Sequence, residues 1–207
     1  MARPSVIDTE EILRAARELF LQKGPNVTTA EIARAVGISE GSIFKRFPTK
    51  HSLFLAAMKV DMPHPWAADL DALVGQGDLR ENLVSVSTAI MSFLRELLPR
   101  IMLAWSCDGA MSTHLSKIHG PKSPPRLALA ALASYLGAEM DLGRLRRTDP
   151  EIAARIFLGA IWNHVFLETI ESRGREVVDP VQPEVFARTL VDAVWQGLAP
   201  TGDEVTP

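Results

Sequence analysis

The chain of 207 residues predicts an all-α fold. Apolar residues recur at helical spacing along most of its length, and no segment alternates apolar and polar residues as a half-buried strand would. Ser, Thr, Asp, Gly and Pro stand where helices begin and end. Composition is consistent with one large or two small globular domains: 47% hydrophobic, 23% charged and a mean hydropathy of +0.08 disfavour disorder and low complexity.

The elements follow in order. Asp8 to Lys23 puts Ile12, Ala16, Leu19 and Phe20 on one face, with Asp8 and Glu11 at capping-box spacing, and Gly24-Pro25 closes it. Thr28 and Glu31 open a second short helix that buries Ile32, Ala33 and Val36 and stops at Gly37. A third begins after Ser39, sets Ile43 and Phe47 on one side and runs to Pro48. A fourth starts after Thr49, passes through Leu53, Phe54, Ala57 and Met58, and is broken or bent by Pro63-His64-Pro65. Gly75-Gln76-Gly77-Asp78 forms a turn. Helices then span Leu79 to Leu98, Arg100 to Ser106, Arg126 to Met140, Pro150 to Ser172 and Pro183 to Leu198. Loops fall at Asp108 to Pro125 and Arg173 to Gln182. The expected organisation is a head over residues 1–60, a body over 61–199 and a loose tail over 200–207.

Several function classes are disfavoured. A single cysteine, Cys107, cannot form an internal disulfide, and Asp8, Glu10, Glu11 and Glu18 interrupt any signal-peptide stretch. The most apolar segment, Ile156 to Leu167, is too short and too polar, with Asn163 and His164, to cross a bilayer. A cytoplasmic protein with no membrane partner is expected. Cys107, Asp108, His114 and His119 match no recurring metal or nucleophile spacing, and no Gly-rich phosphate loop follows a strand. The chain is read as a non-enzyme needing no cofactor or metal.

Charge points elsewhere. The net charge of −3 divides unevenly: residues 1–60 hold nine Lys/Arg against six Asp/Glu, leaving −6 on the remainder. A basic head on an acidic body suits a polyanion partner. The second and third helices, joined by a tight turn at Gly37, form a helix-turn-helix, whose second helix enters the DNA major groove in the common docking geometry. With Ile43 inward, steps of 100° place Gly41, Ser42 and Lys45 outward, flanked by Phe44 and Arg46. Small residues allow close approach, and the donors reach base edges or phosphates.

Ala16, Leu19-Phe20, Gly24, Thr28-Thr29, Ile32-Ala33, Val36-Gly37-Ile38-Ser39, Gly41-Ser42-Ile43-Phe44, Phe47, Lys50 and Leu53 keep their spacing without a gap from Ile12 to Leu55. This pattern resembles the DNA-binding domain of the TetR (tetracycline repressor) family of bacterial transcriptional regulators. The resemblance implies that Thr28 and Thr29, at the start of the second helix, meet backbone phosphate. It places Ser39, Gly41, Ser42, Phe44, Lys45 and Arg46 on the recognition helix, with Lys50 as a phosphate anchor. Phe44 departs from the family's usual tyrosine and loses a phenol donor. Lys45-Arg46 replaces frequent aromatic or His residues, so the operator sequence does not transfer. Pro63 and Pro65 break the end of the helix that links ligand site to DNA head in the family.

In the body, the apolar Ile156 to Leu167 helix must bury two faces. From periodicity alone, either neighbouring helices or a second subunit could cover the outer one. The resemblance implies a homodimer through Ile156, Ala160, Leu167, Phe186, Leu190 and Val194. Met91, Phe93, Met102, Trp105, Met111, Tyr135 and Trp162 suit an adaptable apolar pocket or plain core, with Asn163 and His164 as polar handles. The resemblance implies the pocket. The expectation is a ligand-responsive regulator, more in keeping with a repressor, that binds a pseudo-palindromic operator in double-stranded DNA and is released by a small apolar effector. A DNA binder without an effector, a DNA-coating protein and, least favoured, a helical enzyme using Cys107, His114 and His119 are the competing readings.

Overall fold

The computed structural model describes residues 8–59, 64–106, 123–172 and 181–199, and among them the only regular structure is helical. The helices are α1 (Thr9–Lys23), α2 (Thr29–Ala35), α3 (Glu40–Phe44), α4 (Lys50–Met58), α5 (Leu70–Leu73), α6 (Leu79–Ser106), α7 (Pro124–Asp141), α8 (Pro150–Glu171) and α9 (Pro183–Leu198). A single 3-10 turn, Pro65–Ala67, precedes α5. Of the loops expected over 108–125 and 173–182, residues 108–122 and 173–180 lie outside the described residues, as does the tail from residue 200. Pro124 and Pro125 belong to the first turn of α7 instead, where a proline's missing N–H costs no helical bond.

Two compact units form. The first contains residues 8–59 and, from α6, residues 99–106. Its core is built on Ile12, Ala16, Phe20, Ile32, Ile43, Leu53, Ala57 and Met58, joined by Leu103. α1 packs on α4 and α2, and α2 packs on α3. The Phe20 and Phe54 rings meet edge to face, 5.0 Å apart. Arg17 Nε donates to the Ala57 carbonyl at 2.8 Å, tying α1 to the end of α4. Lys59 caps α4 in the left-handed region at φ +43°, and its Nζ lies 2.9 Å from Glu10 of α1.

Caps decide where these short helices begin. Thr28 and Glu31 form a reciprocal capping box: Glu31 Oε2 accepts from the Thr28 N–H at 2.9 Å, and Thr28 Oγ1 accepts from the Glu31 N–H at 3.2 Å. Ser39 caps α3, and Thr49 with Ser52 makes a second box at α4. At α1, Asp8 accepts from the Glu10 N–H, and no reciprocal bond from Glu11 completes the expected box.

Three further expectations are corrected. α4 ends at Met58, one residue before the left-handed Lys59, rather than at the prolines. Pro99 does not divide two helices: α6 runs through it, at the cost of the one helical bond proline cannot donate to the Arg95 carbonyl. Pro65–Ala67 and α5 were hidden in what reads as a turn-rich linker, because each is too short to show a period.

The second unit comprises 64–98, 123–172 and 181–199 among the described residues. α7 packs on α8, and the 3-10 turn and α5 pack on α7. The core includes Leu83, Ile90, Met91, Leu132, Tyr135, Leu136, Ala154, Phe157, Ile161, Val165 and Val191. A polar knot sits at its edge. Glu139, fully buried, accepts from the Gly75 N–H at 3.0 Å and faces Arg144 Nε at 3.3 Å. Arg144 Nη2 reaches the Gly77 carbonyl at 2.8 Å. The knot holds the Gly75–Gly77 turn, whose two glycines adopt φ of +70° and +54°.

Two measurements follow. Glu139→Ala leaves a mostly buried guanidinium unpaired and should cost about 3 kcal/mol in a urea unfolding titration. A change below about 0.5 kcal/mol would mean that Arg144 finds solvent without it. For Glu31, the Thr28 backbone N–H, then Lys23 and the Thr28 hydroxyl, hold the carboxyl at about 2, below its usual 4.5. Because the folded value is lowered, the box contributes fully above pH 4.5 and fades as pH falls towards 2. Side-chain carbonyl NMR should show Glu31 titrating near the lower value, and an ordinary midpoint would contradict the box.

Candidate functional site: a helix-turn-helix DNA interface

The first unit positions α2 and α3 around a four-residue turn, where Gly37 takes φ +71° and Ile38 N–H bonds back to the Ala33 carbonyl at 3.0 Å. Ile43 is buried, which sets the roll of α3. Helical bonding continues past Phe44, with Lys45 N–H on Gly41 O at 3.1 Å and Phe47 N–H on Ile43 O at 2.8 Å. Gly41 and Lys45 are exposed as the helical wheel expects, Ser42 is half-buried against the Ser39 cap rather than fully outward, and the flanking Phe44 and Arg46 are exposed as well.

Each sequence-derived DNA candidate has a defined place. Thr28 is exposed and spends its hydroxyl on the α2 cap. Thr29 is 7% exposed, and its hydroxyl donates to Glu40 at the head of α3, so it braces the two helices. Ser39 and Ser42 hydroxyls lie 2.8 Å apart across the α3 cap. Phe44 presents 42% of its surface, an apolar ring suited to a thymine methyl. Arg46 Nη1 bonds the Ser42 carbonyl at 3.2 Å. Lys50 Nζ donates to the Pro25 carbonyl at 2.7 Å, using one of three ammonium donors. Glu40, which sequence reasoning passed over, is the acid of this surface; its position directly after the Ser39 cap was the available signal.

The pocket candidates among the described residues differ in burial and neighbours. Met91 and Tyr135 are core, and burial, then the Glu139 charge, pushes the tyrosine up to about 12. Phe93 meets the His64 ring at 4.7 Å. Met102 is half-buried in the first unit. Met111, with Cys107, Asp108, His114 and His119, lies outside the described residues, as does the side chain of Trp105. Trp162 and Asn163 are exposed. His164 stacks flat on Phe186, 3.9 Å away, and its Nε2 lies 3.3 Å from Glu168, which Arg95 grips through two bonds of 2.9 and 2.8 Å. Burial holds His164 below the ordinary histidine range, against the opposing Glu168 charge.

α8 is apolar on two opposite sides. Ala153, Ala154, Phe157, Ile161 and Val165 face the core, whereas Ile152, Ile156, Leu167 and Ile170 are 43–54% exposed. Steps of 100° put that open set within one stripe, with Gly159 and Asn163 on it. A Cβ added to Gly159 would meet nothing within 4 Å. Ala160, Phe186, Leu190 and Val194 are half-buried, the last three packed against the unit's own core. A depression of about 280 Å³, bordered by Ile152 and Ile156 of α8 and by Ala193, Val194 and Gly197 of α9, continues the stripe. Among the described residues no group of three acidic, His or Cys side chains is placed to hold a metal, and no helix is long and apolar enough to cross a membrane.

A capped helix-turn-helix whose second helix ends in exposed Lys45 and Arg46, followed by a larger helical unit, defines a DNA-binding transcriptional regulator. The profile of the bacterial regulatory proteins of the tetR family matches residues 12–57, and that of the AefR-like transcriptional repressor C-terminal domain matches 121–195. The chain belongs to the TetR family of transcriptional regulators, which are not enzymes. It is 33% identical over 85 residues to the nucleoid occlusion factor SlmA of Marinobacter nauticus, a match covering 41% of this chain and 44% of that relative. In fold it is similar to a protein described as a TetR-family regulator from Mesorhizobium loti, with TM-score 0.69, 22% identity, and 92% and 96% of the two chains covered. It is also similar to a transcriptional regulator from Saccharomonospora viridis in complex with choline, with TM-score 0.65, 20% identity and the same coverage.

Lys45 and Lys50 provide a test of roles within this interface, since phosphate contacts position a protein while base contacts carry sequence information. Lys50→Ala should weaken every duplex alike and lower the salt slope by about one. Lys45→Ala should cost about 1–3 kcal/mol at particular operator positions. Binding across salt concentrations, together with selection from random duplexes, distinguishes them; identical uniform losses would reject the division.

Proposed function

We propose that the protein is a transcriptional repressor in the cytoplasm that holds a pseudo-palindromic operator as a homodimer and leaves it when a small, largely apolar effector binds the second unit. The observation that carries the dimer is the open stripe Ile152, Ile156, Leu167 and Ile170 on the face of α8 opposite its buried side. A monomer has no use for such a face on its longest apolar helix. Gly159 on that stripe leaves room for a close backbone approach, and the adjoining depression offers a hollow for a partner's side chain. Two-fold pairing would set two recognition helices about 34–36 Å apart, or a multiple of that, matching successive major grooves. Repression is supported by the AefR-like repressor domain match over 121–195. An effector is supported by the size of a body far larger than a helix-turn-helix needs, and by choline in the Saccharomonospora viridis relative.

Ile156→Glu should yield monomers by sedimentation that lose operator affinity while circular dichroism stays helical. Wild-type monomer at all working concentrations would overturn the dimer. An effector shifts occupancy only by its preference between the two states, about 1.4 kcal/mol per tenfold. Operator DNA must therefore weaken effector binding by the same factor by which effector weakens DNA binding. A ligand that fails this reciprocity in paired titrations is not the effector.

A further inference from the structure

The second unit contains a cluster of buried polar groups that its own fold leaves without partners. His64 enters the 3-10 turn with its ring edge-on to Phe93 of α6, centroids 4.7 Å apart, and 5.8 Å from the Trp66 ring. The Pro124 backbone lies beside the same imidazole, adjacent in sequence to Ser123, the N-cap of α7. Trp66 is 8% exposed and Ser123 only 2%. The Trp66 indole N–H and the Ser123 hydroxyl are buried and make no hydrogen bond, and the His64 ring nitrogens are buried beside the Pro124 backbone. Ser123 is the sharpest case. Asp8, Thr28, Ser39, Thr49 and Asp149 each bond to the helix end they cap, but Ser123 does not. Buried polar atoms nearly always find partners, so two donors left unpaired beside the His64 imidazole point to a molecule that supplies them.

We propose that His64, Trp66 and Ser123 form the hydrogen-bonding end of the effector site and select a small, flat, uncharged molecule bearing a carbonyl or similar acceptor oxygen. This assignment rests on the effector-responsive reading above. The chemistry of the three groups sets the class. An indole N–H can only donate, a serine hydroxyl donates readily, and a neutral imidazole keeps one N–H. Burial disfavours the imidazolium form of His64, so the three groups supply no full positive charge. A carboxylate there would be buried without a counter-charge, whereas the two lone pairs of a carbonyl match such donors. The Phe93 and Trp66 rings offer faces and edges to a flat apolar body.

The test uses the full-length protein with its tryptophan indoles labelled for NMR, Trp66 being identified among the four by the loss of its signal in Trp66→Phe. Acetophenone, benzoate and ethylbenzene share a ring and differ in the group offered to the donors. Acetophenone should shift the Trp66 indole resonance saturably and bind about tenfold more tightly than ethylbenzene, although apolar area alone favours ethylbenzene. Benzoate should bind more weakly than acetophenone. Ser123→Ala should weaken acetophenone and leave ethylbenzene unchanged. A Trp66 signal that none of the three moves, or ethylbenzene or benzoate binding as well as acetophenone, would overturn the site. The two readings fail separately. A compound that releases operator DNA equally from wild type and Trp66→Phe removes the site and keeps effector control. A compound held at Trp66 that leaves operator affinity unchanged removes this site's role in effector control.

Discussion

Helix α8 has apolar residues on two opposite sides, and its own unit can cover only one of them. The covered side, Phe157, Ile161 and Val165 against α7, is the centre of the body's core. At about 25 cal/mol per Å² of apolar area, burying side chains of this size contributes about 1.5–3 kcal/mol each. The rest arranges itself round this contact. α5 and the 3-10 turn lie on α7, and the Glu139–Arg144 knot fastens the Gly75–Gly77 turn to the end of the same helix. The outer side of α8 is what remains after that core is satisfied, and it is on this open stripe that the proposed dimer rests.

The first unit works by different means. Its helices are short, α3 having five residues, and such lengths are unstable alone. Local bonds from Thr28, Ser39 and Thr49 fix where each begins, and one compact core fixes how they roll. The consequence is a rigid presentation of Gly41, Lys45 and Arg46, a requirement for reading base edges, where a small misplacement loses the hydrogen bond.

The sequence made the caps and long helices legible because their signals are local. Thr28 with Glu31, Ser39, Gly37 and Pro183 act within one turn of themselves, and the structure has them there. Pro99 misled because one missing N–H is affordable in a long helix. The roll of α3 was legible for the same local reason, with Ile43 buried and Gly41 and Lys45 exposed. The Thr29–Glu40 brace was not, since it joins two helices across the turn. Residue type did not foretell burial in the body, where Tyr135 is in the core and Trp162 is exposed, because aromatic residues serve both purposes. His64 looked like a link between two prolines; its burial against Phe93, far along the chain, shows only in three dimensions.

Lys59 is the one described non-glycine residue with positive φ, standing where α4 ends. Glycine would adopt that conformation without strain, yet it would also leave the chain free to swivel at this junction. Lysine visits the left-handed region at a cost of about 1 kcal/mol and has far fewer alternatives to it. Its ammonium on Glu10 adds an anchor on α1. The last turn of α4 therefore carries little conformational entropy of its own, held from both its backbone and its side chain.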